Sequence, residues 1–502
     1  VEQTELACGN ELSRDVTIAS AADAAALAKI EVINGSVTLD ASGLSELALP
    51  ALSVVRGALE IRNQAALRHL AMPVLQSVAG QLAVIGDAQL ASVELPLLTR
   101  VGSLVIDGNP ALPDLTGMAA LGNVPGDIQI TNNGALTAAD LPIRETVGSV
   151  TIDGNAQLGV VALSVDRLGP LHIGSNPVLT SVSLVPRDGG FVTLDRVTIA
   201  ANPQLAVVSI ITSTLASLAI DDNPALTDIT VSSFFITGDL AIRGNGLASV
   251  TLSTPSLVEF ELGGSLTLSG PITALHAERA IEALGDCTLD TTRLVTFDPV
   301  ADGLTCQGAL HVIGNAQLTR MPGLSVGGSL ELRSNPVLTS LPFLVQHELA
   351  GDLIVADNAV LRDAPALERI DHVAGNVTIT GNPALKGAFA AALVRIDGAA
   401  VFDGNDSLGD VGLAALRHVG SLSVSHSGLL TVLALPSLTE VSRIDVRGNP
   451  SLVELQLPRL RQADMGVFDN PHLPACAVDA LFTGLLGDHQ QSGNDDAAGC
   501  AP

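Results

Sequence analysis

One ten-residue phrase recurs along this chain. Ser103–Leu112 reads SLVIDGNPAL, and close copies stand at Ser149–Leu158 (SVTIDGNAQL), Ser217–Leu226 (SLAIDDNPAL), Ala309–Leu318 (ALHVIGNAQL), Asn376–Leu385 (NVTITGNPAL) and Arg443–Leu452 (RIDVRGNPSL). The second apolar residue of each phrase serves as a marker. The markers are Ile18, Leu39, Ile61, Val84, Ile106, Ile130, Ile152, Ile173, Ile199, Ile220, Ile242, Leu268, Leu289, Val312, Leu332, Val355, Ile379, Phe402, Val424, Val446 and Val467. Their spacing stays between 20 and 26 residues, which defines 21 coils of about 22 residues. A unit this short cannot bury its apolar face alone, so successive copies must stack.

The grammar of each copy says how they stack. The apolar–x–apolar alternation, as in Leu104–Ile106, is the period-two mark of a short strand. Pro follows the Asn of the phrase in many copies (Pro110, Pro177, Pro224, Pro383, Pro450) and ends the strand, because it removes a ladder donor. The predicted fold class is all-β: a parallel β-helix or solenoid with short helical caps. At about 4.8 Å per coil it forms a rod on the order of 100 Å long.

Asn stands three residues after the marker in 14 of the 21 coils: Asn109, Asn133, Asn155, Asn176, Asn202, Asn223, Asn245, Asn315, Asn335, Asn358, Asn382, Asn405, Asn449 and Asn470. At a strand corner its amide can bond turn backbone and the Asn of the next coil, so these residues are expected to form a structural ladder.

Ala21–Lys29 and Cys476–Leu486 read as helical covers for the two ends, and Ile272–Leu284 (ITALHAERAIEAL) also looks helical. The interval from Leu268 to Leu289 repeats that from Ile18 to Leu39, so two fused segments are expected, 1–265 and 266–502.

The core must be aliphatic, since the chain has no Trp or Tyr and only 10 Phe. A net charge of −28 repels nucleic acid phosphates and anionic lipid heads. No apolar run reaches the roughly 18–20 residues of a membrane span. The chain starts at Val1, as expected of a mature form whose export signal has been removed. Five cysteines occur. Cys287 with Cys306 and Cys476 with Cys500 read as two local disulfides in an oxidising compartment, leaving Cys8 over. No CxxC or Cys/His cluster suggests zinc.

These residues carry a resemblance. GxLxI–x–GNPxL at this period, with LPxL–xxVGG between copies and the closing LPACAVDALFTGLLG…SGNDDAAGC, resembles the receptor L-domain family, including its secreted bacterial members. The resemblance covers nearly the whole chain. It implies a right-handed β-helix related to leucine-rich repeats, placed outside the cell and used for recognition or wall structure. Two departures are visible: the Cys expected to pair with Cys8 is absent, with Ile30 or Val32 in its place, and no Cys-rich module separates the halves.

Signals for chemistry are weak. Gly323–Gly327 matches GxSxG but is followed at once by another strand phrase, where a nucleophile elbow needs a helix. His347–Glu348 begins an HExxH-like string that fails at Gly351. The acids after the markers (Asp40, Asp107, Asp153, Asp221, Asp290, Asp403) are interrupted by Ile85, Thr131, Gly174 and Arg243, and the Thr column before the markers is broken by Glu60, Ala83, Val105, His172 and His311. Cofactors are not implied. Long coils place extra residues in Val185–Val192 and Ser253–Gly264, making Arg187, Asp188, Phe191 and Phe260 candidate partner-binding residues. The sequence therefore predicts a non-enzymatic, secreted or cell-surface binding or structural protein, whose partner is a protein or a cell-envelope glycan. The alternative is a carbohydrate-active β-helix enzyme.

Overall fold

The computed structural model describes residues 10–143, 148–186, 192–247, 249–254, 260–291, 293–299, 303–341, 344–387 and 392–497. It is a parallel β-solenoid of about 20 turns with few helices, in two compact units, Val1–Leu247 and Ala248–Pro502.

Within each unit the marker strands pair in parallel and in register. In the first, Ile18 faces Leu39, Leu39 faces Ile61, and the column continues through Val84, Ile106, Ile130, Ile152, Ile173, Ile199 and Ile220 to Ile242. In the second it runs from Leu268 through Leu289, Val312, Leu332, Val355, Ile379, Phe402, Val424 and Val446 to Val467. Every marker is at most 3% exposed. Each such side chain contributes ~1.5–3 kcal/mol on burial, so the columns are the core.

A turn then redirects the chain at a fixed point. The residue before each rung of the Asn column takes a left-handed backbone in many coils. Glycine supplies it at Gly108, Gly154, Gly244, Gly314, Gly381, Gly404 and Gly448, while Asn132, Ser175, Ala201, Asp222, Ser334 and Asp357 adopt it at φ 52–57°. That conformation costs a non-glycine residue about 1–2 kcal/mol, which explains the preference for Gly before the Asn.

Past the turn, the chain crosses to a second wall. In the first unit this wall has two sheets. One holds Glu46–Ala48, His69–Ala71 and Ser92–Glu94, and the other runs through Ala138–Leu141, Val160–Val165, Ser181–Pro186, Val207–Ile211 and Asp228–Ser232.

The helices Ala21–Ala26 and Ala475–Thr483 form where expected. Ser20 caps the first, accepting from the Asp23 amide. Ile272–Leu284 does not form a helix: it holds the strands Ala274–Ala277 and Ile281–Ala283. Its Ala- and Glu-rich composition favours helix locally. However, Leu275, Ala277, Ile281 and Ala283 alternate into the core, and neighbouring coils supply parallel partners for the backbone. The first unit ends at Leu247, upstream of the boundary read from sequence.

One strand was not anticipated. His489–Ser492 pairs with Asp464–Phe468 and sets Gln491 opposite Val467. A polar residue at the marker position hid it, although the Gly493–Asn494 pair was a usable signal.

Candidate functional site

The Asn column is buried and continuous over long stretches. Each Asn is 0–2% exposed. Asn109 shows the pattern: its Nδ2 donates to Val84 O (2.9 Å), Asp107 O (3.2 Å) and Asn133 Oδ1 (3.2 Å), and its backbone N–H also donates to Asn133 Oδ1 (3.1 Å). The backbone link repeats from Asn133 through Asn155, Asn176, Asn202 and Asn223 to Asn245. In the second unit it joins Asn315, Asn335, Asn358, Asn382 and Asn405, then Asn449 and Asn470. Gln64, Asp87, Thr291, Ser427 and Asn494 occupy further rungs that the Asn count missed. Apart from Asn494, whose Nδ2 also reaches Gln491 Oε1, the donors point at main chain or at the next rung, so the column fastens coils.

Cys287 and Cys306 are bonded and fully buried, each occupying a core position between aliphatic neighbours of adjacent coils. Cys476 is disulfide-bonded. Cys500 and Cys8 lie outside the described residues, as do Arg187, Asp188 and Phe191. Phe260, expected on a docking loop, is instead 2% exposed in the strand Phe260–Leu262, facing Ile281. Its side chain fills the core, because strand alternation turns Phe260 and Leu262 inward and Glu261 outward.

The catalytic signals resolve into structure. Ser325 sits mid-strand in Leu324–Val326, paired with Thr305, with no strand-to-helix elbow. His347 Nδ1 lies 3.0 Å from Arg369 O, and Glu348 lies 3.8 Å from His372.

Several outward acids have partners, although Asp221 Oδ1 is buried without a hydrogen-bond partner. Asp107 accepts from Asn132 (2.9 Å) and Thr131 (2.5 Å). His311 lies 2.9 Å from Glu331, which also binds Arg333 at 2.9 Å. His372 lies 3.1 Å from Asp397, beside Arg395; His418 lies 2.9 Å from Glu440, and His426 lies 2.7 Å from Asp403. Burial raises the Glu331 carboxyl, but His311 and Arg333 outweigh it and hold it below the usual range. The His372 hydrogen bond does the same for Asp397. At Asp403, Ser425 and His426 together overcome burial. Ser425 donates to Asp403 rather than to His426, so this Asp–His–Ser group is not arranged to activate the hydroxyl. No group of three or more metal-binding side chains occurs among the described residues.

A different surface lies on the second wall of the first unit. Strands Val160–Val165, Ser181–Pro186 and Val207–Ile211 pair in register and turn Val160, Ala162, Ser164, Ser181, Ser183, Val185, Val207, Ser209 and Ile211 outward. None is charged. Asp140 and Asp228 stand only on the flanking strands. Val160, Val207 and Ile211 are each 42–43% exposed. In a chain carrying 76 charged residues, this is a flat, neutral face of hydroxyls and methyls. Sequence reading missed it because its residues resemble core strand positions and only the register makes them one surface.

Among the described residues no helix is long and apolar enough to cross a membrane. Compared with protein-family models and with curated proteins, the chain matches none.

Proposed function

We propose that this is a non-catalytic recognition or surface-structural protein of receptor L-domain type, working outside the cytoplasm. It engages a neutral cell-envelope glycan through the uncharged second-wall face of the first unit. The carrying observation is the contrast between that face and the rest of the outer surface. Elsewhere the outer strands carry charged side chains, some paired within a strand (Arg62–Glu60, Arg443–Asp445) and some across coils (His311–Glu331, His418–Glu440), whereas Ser183, Ser209 and their aliphatic neighbours present parallel rows about 4.8 Å apart. Such rows suit an extended, uncharged, hydroxyl-bearing partner, and the flanking acids disfavour an anionic one. The buried Cys287–Cys306 bond accords with an oxidising compartment.

The test is retention on insoluble envelope polysaccharide. Ser209→Arg places a charge and bulk at the centre of the face without touching the core, and retention should drop at least tenfold. Retention unchanged by that substitution removes this face as the docking surface. Release of reducing ends during incubation would establish the carbohydrate-active alternative.

A further inference from the structure

One rung of the buried ladder carries a carboxyl where its neighbours carry amides. Asp87 is 0% exposed. Its Oδ1 accepts the Gln64 backbone N–H (2.6 Å), and its own N–H donates to Asn109 Oδ1 (3.1 Å). In both respects it behaves as an Asn. The difference is the second oxygen. In the next rung the atom at this place is Asn109 Nδ2, a donor with three acceptors around it. By the same register the positions equivalent to those three acceptors are the carbonyls of Ile61 and Ile85 and Asn109 Oδ1, and Asp87 Oδ2 itself is buried with no hydrogen-bond partner. A carboxylate so placed faces only acceptors, while a neutral acid has one hydrogen to give them.

We propose that Asp87 is a protonated rung, its Oδ2–H standing in for the amide donor, so that the first unit is fastened in acid and loosened once this proton leaves. Burial pushes its carboxyl up to about 6, against the smaller opposing effect of the Gln64 N–H.

No charged neighbour offers another account. Glu60 and Arg62 of the preceding strand pair with each other at 3.4 Å on the outward face. Arg100 and Asp107 of the following strand point outward, and Glu46, His69 and Glu94 of the second wall are exposed. Toward the interior stand Leu67, Leu90 and Leu112, all fully buried.

The direction of the effect follows from linkage. The folded state holds this proton more tightly than the unfolded chain does. The stabilisation is complete below the ordinary Asp value of 3.8, declines as pH rises, and is gone above about 6. Over that window the folding equilibrium of the first unit falls about tenfold per pH unit, about a hundredfold in all.

The experiment compares the full chain with Asp87→Asn by hydrogen exchange of first-unit core amides between pH 4 and 8. Because other groups titrate alike in both proteins, the ratio isolates residue 87. A ratio that shifts about a hundredfold in favour of the variant between pH 4 and 7, then levels, supports the protonated rung. A ratio independent of pH overturns it. Asn133→Asp puts the same acid in an equivalent rung and should acquire the same slope. A folded Asn133→Asp protein without it also overturns the proposal.

Discussion

The two units share a coil but fasten it differently. In the first, the ladder runs through consecutive amides from Asn109 to Asn245, and His69 and His172 are the unit's only histidines. In the second, the ladder starts at Thr291, is interrupted at Ser427, and is accompanied by a buried disulfide. Eight of the ten histidines lie there, and four of them reach a carboxylate on another turn within 3.1 Å. A continuous buried network satisfies every donor and leaves the outside free. An interrupted one is supplemented by a covalent bond and by outer pairs, which water screens and which contribute little each.

The sharpest way to break the comparison is Asn176→Ala. It removes the side-chain acceptor of the Asn155 N–H, one of the three acceptors of Asn155 Nδ2, and the side-chain donor to the carbonyls of Ile152 and Gly174. The expected loss is about 4 kcal/mol, confined to the first unit, since each of the lost hydrogen bonds is worth about 1 kcal/mol net. Urea unfolding read by hydrogen exchange in each unit checks it, and an equal loss in both units would mean they do not differ in this way.

Next in size is the disulfide. Replacing Cys287 and Cys306 together with Ala opens a loop spanning 19 residues and should destabilise the second unit by about 3 kcal/mol. The same assay should find the first unit unaffected. The smallest effect is a repair. Ser427→Asn lengthens the short rung between Asn405 and Asn449, and should raise the second unit's stability by about 1 kcal/mol, the net worth of a hydrogen bond. A neutral or destabilising result would show that the left-handed His426 before it, at φ 47°, already fixes this corner in a shape the amide cannot use.

Much of the fold was legible. The marker spacing determined that strands stack in parallel, because a period-two pattern repeated every 22 or so residues has one economical way to bury its aliphatic side. The recurrent Asn was equally readable as a corner, since a short amide both accepts from turn backbone and donates to it. The Cys287–Cys306 pairing followed from proximity. Where local preference conflicted with register, register won: Ile272–Leu284 has helical composition yet forms strands, and Phe260 sits in an irregular coil yet points inward.

The tertiary structure decided the rest. Nothing in the string distinguishes Ser183 or Val207 on an outer face from the same residue types elsewhere, because neutrality over an area is a property of neighbouring coils 21–26 residues apart. Nor does the sequence show that Asp87 lies in a dry column rather than at a solvated turn. Its protonation depends on the acceptors that adjacent coils place around it, and those exist only once the chain has wound.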